Sequence, residues 1–567
     1  MAYFQSLAKS ILALPDDSRR LAAFRAIVIG LAAGLSALAL ENGAYWLSYL
    51  RVKACTLYPA WIVLPGCGLI GGLISGFLVQ KYSPSAYGSG IPQVRAYLLG
   101  AKQPLDIKLA IVKLISGSIA LGSGLFLGRE GPTVHVGAAI AVHLNKIFPD
   151  CSKEHKMQLV ASGAGAGLAA AFNAPVAGVL FVAEELLKDV STSTIGTAIL
   201  ACFVASALTH VFNAPHREAF TQIQSIPFQF TFHDIFFWVM LGFVSGIVGV
   251  WFNRGVILFL KLYRDYVKIP PVVRVGLAGL ISGLIIAIIP ADAHFRDYAA
   301  LRDVIVAGNE AWYMVPFAFV AFFFLTLLAY GSGAPGGLFA PAIVLGSALG
   351  VMVSYVENYF FGVGSVEMMA MVGMGAFFAA VARVPMTAVV IVTEITRHYN
   401  LVLPLMVAAA TACFVGSRME KGSIYDMLRE YSGLDEEIKR VQAEENQPRA
   451  RDLMRKEFVL NMSDSGTDWK KSLLDNIQVN EFAIVQDGKF IGLINAHSVK
   501  SCAQFLLADD LELSQVMETD LQTVAPEAPL SEISELFKST NRRTLAVVEN
   551  SQVLGVIHHR DLPQDNG

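Results

Sequence analysis

Gly331-Ser332-Gly333-Ala334-Pro335-Gly336-Gly337-Leu338-Phe339-Ala340-Pro341 lies inside a run, Ala311 to Val356, that holds no Asp, Glu, Lys or Arg. The run is long enough to cross a bilayer, which takes about 20 apolar residues. Yet its middle cannot be continuous helix. Glycine forfeits backbone entropy, and proline lacks the N–H donor and clashes with the preceding turn. A backbone break at membrane depth is tolerated only where it is buried in protein or lines a cavity. The segment therefore reads as a loop feeding a helix start inside a polytopic membrane protein.

The rest of the chain agrees. Met157 to Ala183 and Val275 to Ala291 are also free of charge. Of 567 residues, 54% are hydrophobic and 16% charged, against about 25% charged in soluble domains. A soluble core helix would carry a charged face, which these runs lack. The net charge of -3 argues against a nucleic-acid partner. Cysteines stand at 55, 67, 151, 202, 413 and 502 with no CxxC spacing, so they read as packing residues rather than zinc ligands or a disulfide framework. Ala26 to Leu40 has no obvious small-residue cleavage site after it and reads as a membrane segment, not a signal peptide. Arg19, Arg20 and Arg25 precede it and place the N-terminus in the cytoplasm.

The apolar part repeats itself. Gly122-Ser123-Gly124, Gly128, Pro132 and Gly137 recur as Gly331-Ser332-Gly333, Gly337, Pro341 and Gly346, an offset of 209 residues. Gly163, Gly165, Ala169, Ala170, Pro175 and Glu184 recur as Gly373, Gly375, Ala379, Ala380, Pro385 and Glu394, an offset of 210. The slip of one residue is read as a loop indel. Duplicated membrane halves commonly hold the substrate between them near mid-membrane. The organisation expected is a cytoplasmic N-terminal segment 1–20, a membrane domain 21–430 with halves at about 21–215 and 232–417, a charged linker 431–449, and a soluble α/β part 450–567.

That last part has a repeat of its own. Phe482-Ala483-Ile484-Val485 leads through Asp487-Gly488 to Phe490-Ile491-Gly492-Leu493-Ile494. Leu545-Ala546-Val547-Val548 leads through Asn550-Ser551 to Val553-Leu554-Gly555-Val556-Ile557, and the two glycines are 63 residues apart. Two strand–turn–strand units joined by amphipathic segments such as Leu530 to Phe537 resemble a tandem CBS-domain pair.

Helix N-termini bind anions through unpaired backbone N–H groups and partial positive charge, without a full cation. Four segments suit this: Gly88-Ser89-Gly90-Ile91-Pro92, Gly128-Arg129-Glu130-Gly131-Pro132, Gly337-Leu338-Phe339-Ala340-Pro341, and Tyr425 in Gly422-Ser423-Ile424-Tyr425. Alone, Gly-Ser-Gly is a turn, Glu-Gly-Pro a helix cap and a tyrosine an interfacial anchor. In this order they resemble the CLC family of chloride channels and chloride/proton antiporters, over the whole chain. The loop signatures GSGIP, GREGP and GLFAP stand intact.

The resemblance implies an all-α membrane domain of many tilted, broken helices in two inverted halves, followed by the α/β CBS pair. It implies homodimers with one pore per subunit in a cell membrane, with the CBS domains cytoplasmic. Ser89 and Tyr425 match the hydroxyl donors to a central chloride, and Leu338 and Phe339 its backbone donors. Arg129 and Gly131 flank Glu130 in the same chloride-binding loop. Glu130 matches the gating glutamate, and Lys113 a buried lysine that adds positive potential. Glu185, the second acid after Phe172-Asn173-Ala174-Pro175, matches the internal proton glutamate of the antiporters, whereas channels of the family commonly lack an acid there. Glu184 reads as a helix-end acid with a structural role, because it repeats as Glu394. A static Glu130–Arg129 surface pair is the bland alternative to the gate.

Chloride/proton antiport is the reading favoured, with no enzymatic activity and no resident cofactor. A chloride channel gated by Glu130 is the alternative. A CBS-regulated divalent-cation transporter would need acidic clusters facing a pore, which the charge-free runs do not offer. An intramembrane enzyme would need a motif such as HExxH, which does not occur. Ser89 and the intact loops favour chloride over fluoride. In the CBS pair Asp561 matches the aspartate that holds an adenine nucleotide's ribose, but Ser498 stands at the equivalent place in the first repeat. A structural role is the stronger expectation there, and nucleotide binding the weaker.

Overall fold

The computed structural model describes residues 18–147, 152–188, 192–212, 232–266, 268–288, 313–362, 365–455, 459–461, 481–486, 489–495, 522–540, 544–550 and 552–562. Two compact units divide between Asp435 and Glu436. Ser498 and the Asp487-Gly488 turn lie outside the described residues.

The first unit is helical. Its first half runs α1 (Ser18–Leu57), α2 (Ala60–Tyr82), α3 (Ile91–Leu98), α4 (Ile107–Gly122), α5 (Glu130–Ile147), α6 (Lys153–Phe172), α7 (Pro175–Phe181) with a π-helical turn Val182–Leu187, and α8 (Thr192–Phe212). Its second half runs α9 (Phe232–Asp265), α10 (Pro271–Ile288), α11 (Met314–Gly331), α12 (Phe339–Phe361), α13 (Val366–Ala382), α14 (Pro385–Thr396) and α15 (Val402–Met419), and α16 (Ile424–Tyr431) follows. In order and partners, α1, α2, α4, α5, α6, α7 and α8 correspond to α9, α10, α11, α12, α13, α14 and α15. The repeat in the sequence is thus a repeat of helices.

Lengths are unequal. The 40 residues of α1 reach about 60 Å at 1.5 Å per residue, twice a bilayer's hydrocarbon core, so α1 must tilt. The eight residues of α3 reach only about 12 Å and cannot cross. Among the described residues, eight helical stretches are long and apolar enough to span a membrane.

Large apolar side chains such as Trp46, Trp61, Phe236 and Trp251 point outward, as suits helices whose solvent is lipid. Small residues make the internal crossings. Gly137 on α5 faces Gly163 on α6, and Gly346 on α12 faces Gly373 on α13; a Cβ on any of the four would strike the opposing carbonyl oxygen. These two crossings are one crossing, made twice by the duplicated halves. They place α5, α6, α12 and α13 at the centre, where most residues are buried.

The second unit begins within α17 (Leu434–Glu445) and includes α18 (Ala450–Leu453) and α19 (Leu530–Thr540). Six strands, β1 (Val459–Asn461), β2 (Glu481–Gln486), β3 (Lys489–Asn495), β4 (Thr523–Val524), β5 (Thr544–Glu549) and β6 (Gln552–His558), pair in the order β1-β2-β3-β6-β5-β4. Gly492 stands opposite Ile484 and Gly555 opposite Val547. Each hairpin slips register at the next residue, between Ile484 and Val485 and between Val547 and Val548. Even the bulge recurs at a spacing of 63 residues, and a parallel strand flanks each hairpin. Ile533 and Phe537 of α19 pack on Leu545, Val547 and Ile557.

Candidate functional site

The three glycine-rich loops meet. Gly128 and Gly337 exchange two backbone hydrogen bonds, N to O of 2.8 and 2.6 Å, as an isolated antiparallel bridge. The Gly336 N–H donates to the Gly88 carbonyl at 3.2 Å. Lys113, fully buried on α4, donates to the carbonyls of Ala86 at 2.7 Å and Gly88 at 2.5 Å. Loop carbonyls are thus satisfied by one another and by one ammonium, as buried acceptors must be. The N-termini of α3, α5 and α12 are gathered at one place.

Pro132 and Pro341 sit in the first turns of α5 and α12, where their missing N–H costs nothing. The first intrahelical donors are the amides of Thr133, to Arg129, and Ala342, to Leu338. Ahead of them the amides at the start of each helix stay clear of helical bonding, which is the anion-binding property of a helix start.

Glu130, the first residue of α5, is 2% exposed. Its carboxylate faces its own backbone amide and that of Ala340. Among the described residues Oε2 has no hydrogen-bond partner. A Cβ at Gly128 would run into Oε2 and stand 3.1 Å from the Ala340 nitrogen, so glycine there leaves room for the carboxylate. Gly131 closes the gap between loops: a Cβ on it would lie 2.8 Å from Ser89 Cβ and 3.0 Å from Gly337 Cα.

Leu338, Phe339 and Tyr425 are buried, and the Phe339 ring lies 5.8 Å from the Tyr425 ring and 4.6 Å from Phe378. Ser89 is buried, and its oxygen accepts from the Ile91 amide at 3.4 Å and from the Tyr330 hydroxyl at 3.5 Å, the outer limit. A serine whose oxygen is already an acceptor keeps its own O–H to give away.

Arg129 turns elsewhere. Its guanidinium forms an ion pair with Glu41 of α1 and donates to the Ala171 carbonyl at 3.1 Å. The static Glu130–Arg129 pair is therefore not what the fold builds. Glu184 is not left to water either: its carboxylate accepts from the amides of Met386 at 3.2 Å and Thr387 at 2.8 Å.

Glu185 is buried on the π-helical turn, and its Oε1 lies 2.7 Å from Arg95 Nη1. The same nitrogen lies 2.7 Å from Asp426 Oδ1, next to Tyr425. Asp426 also closes a capping box with Ser423 at the start of α16. Sequence reasoning missed Arg95, Tyr330 and Ala340. Arg95 alone carried a signal, as a charge on a short helix beside the GSGIP loop.

Away from the loops, His233, Asp234 and Glu357 bring one ligand atom each to within 4.8 Å of one another, where α9 begins and α12 ends. In the second unit Asp561 Oδ1 pairs with Arg455 at 2.7 Å.

Duplicated halves, broken helices and helix starts converging at depth define a polytopic membrane transport protein. The chain belongs to the voltage-gated chloride channel family: that family's model matches residues 71–417. A CBS-domain model matches residues 513–562. Among solved structures, a slow cyanobacterial Cl-/H+ antiporter is 30% identical with a TM-score of 0.65, covering 73% of this chain and 98% of its own. A eukaryotic CLC transporter, 21% identical at a TM-score of 0.62, covers 95% of this chain and 97% of its own. A CLC-type fluoride/proton antiporter, 22% identical at 0.58, covers 72% and 97%. The latter two share the fold.

Proposed function

We propose that this protein exchanges chloride for protons across a cell membrane, with Glu130 as the station both ions use. One observation carries the reading. A buried carboxylate faces the Ala340 amide at the start of α12, the kind of donor a chloride would take. A carboxylate and a chloride then compete for one set of donors, and protonation releases the carboxylate from that competition. Ser89 and Tyr425 supply hydroxyls, Leu338, Phe339 and Gly131 backbone amides, and Lys113 positive charge behind the GSGIP loop. Arg129 contributes through its backbone, since its side chain is engaged by Glu41.

Glu185 is the proton's inner station. The similarity to an antiporter at 30% identity supports this assignment. The resemblance further implies a homodimer, with the N-terminus and CBS pair in the cytoplasm. For that pair a structural role fits best, since Arg455 already occupies one oxygen of Asp561.

A second reading, a chloride channel gated by Glu130, draws support from the Arg95–Glu185 ion pair, which gives Glu185 a structural partner. Reversal potentials in bilayers under crossed chloride and pH gradients separate the two. Antiport gives a potential that responds to both gradients. A Nernstian chloride response with no pH dependence gives the channel.

A further inference from the structure

Arg95 joins three elements that the anion site depends on. It lies on α3, directly after the GSGIP loop that carries Ser89. One of its nitrogens, Nη1, touches Glu185 on the π-helical turn and Asp426 on α16, each at 2.7 Å. Asp426 is adjacent to Tyr425 in sequence, and its other oxygen, Oδ2, accepts from the Ser423 amide at 2.9 Å, fixing the start of α16. Of the two residues proposed as chloride's hydroxyl donors, Ser89 leads into one helix and Tyr425 lies on another, and one guanidinium holds both helices.

The Arg95–Glu185 side of the clasp is buried, with side-chain exposure of 6% and 3%, while Asp426 is 24% exposed. Charge-assisted bonds of this kind are strong in such surroundings, and losing one partner leaves the other charge uncompensated. Other charges facing Glu185 are Asp426 and Lys188, and Arg429 lies 3.6 Å from Asp426.

We propose that Arg95 is a positioning residue that links the protonation of Glu185 to the spacing of Ser89 and Tyr425, making the inner side of the anion site respond to pH. With Glu185 ionised, the guanidinium is shared between two carboxylates, and its pull on α16 is divided with the π-helical turn. With Glu185 protonated, Arg95 keeps only Asp426 as an ionic partner, and the hold of α3 on the π-helical turn relaxes. The inference rests on the roles proposed for Glu185, Ser89 and Tyr425, but its readout is the pH dependence of chloride flux, which exists in an antiporter and a channel alike.

The test uses the full chain in liposomes, with chloride flux measured as pH is varied. In R95Q the proton reaches Glu185 without displacing a cation, so the midpoint of the pH dependence moves alkaline by about one unit. R95K keeps the charge and lies closer to the parent. D426N removes the carboxylate that competes for Arg95, and the midpoint moves acid. This variant keeps an oxygen at the helix cap and guards against loss of folding in R95Q. In an E185Q background R95Q shifts nothing further. An unchanged midpoint in both R95Q and D426N overturns the proposal, as does an equal R95Q shift with and without Glu185. Absence of proton coupling in the parent, with these shifts intact, would sink the antiport reading and leave the clasp standing.

Discussion

Glu184 and Glu394 cap each other's half of the molecule. Glu184, just after α7, accepts from the amides of Met386 and Thr387 at the start of α14, and from the Thr387 hydroxyl at 2.7 Å. Glu394, near the end of α14, accepts from the amides of Val176 at 3.1 Å and Ala177 at 2.9 Å at the start of α7. All three pairs of equivalent residues are 210 apart. An anionic side chain at a helix N-terminus satisfies orphan donors and meets the favourable end of the helix dipole.

Each cap should therefore carry comparable stability. Glu184→Gln and Glu394→Gln are expected to cost about 1–2 kcal/mol each. Thermal melts of detergent-purified protein check this. A large loss for one and none for the other would contradict the structural equivalence of the pair.

Removing the charge at Glu130 separates the two ions. In Glu130→Gln the competing carboxylate is gone, so chloride flux persists while proton-coupled flux falls by about a hundredfold or more. Parallel chloride-efflux and proton-uptake traces from the same vesicles give the ratio. Coupling retained at the parent's ratio would remove Glu130 from the gate.

Gly128→Ala tests the same group from the outside. Its methyl would stand too close to Glu130 Oε2 for the oxygen to stay. The carboxylate is then displaced from the α12 N-terminus, and chloride flux is expected to lose most of its pH dependence without any change of acid. A pH profile like the parent's would show that the carboxylate does not need that place.

Lys113→Met removes a buried ammonium, strands the Ala86 carbonyl and leaves the Gly88 carbonyl to the Gly336 amide. Leaving buried acceptors unpaired costs about 1–3 kcal/mol. Chloride affinity is expected to drop by about tenfold through lost positive potential. Isothermal titration with chloride reads the second effect, and a melt the first.

The second CBS unit carries its own pH response. Burial pushes the His558 imidazole down to about 4, and its Nδ1 pairs with the Thr544 hydroxyl at 2.8 Å. The unfolded chain takes up a proton near the ordinary value of about 6.5, so this contribution to stability is complete above that pH. It is lost as pH falls from there towards 4. Hydrogen exchange of β5 and β6 in the full chain, corrected for intrinsic rates, should show protection falling across that window. His558→Gln should flatten the fall.

The loops GSGIP, GREGP and GLFAP were legible because their function demands particular backbone behaviour, and glycine and proline write backbone behaviour directly into sequence. The 209- and 210-residue offsets were legible for the same reason, and the helix order followed from them. Partners across long separations were not. Nothing local says that Arg129 turns to Glu41, or that Arg95 reaches Glu185 and Asp426. Glu184 shows the boundary most clearly. Its repetition as Glu394 pointed to structure, but only the packing of α7 against α14 shows that each acid serves the other's helix.

The Gly128–Gly337 bridge ties the first half of the chain to the second by paired backbone bonds, right beside Glu130. Halves stitched at that point are poorly suited to swing past each other like a rocker switch. Under the proposed exchange, access from the two sides of the membrane would alternate by motions the size of a side chain, and the lipid around the protein would need little rearrangement.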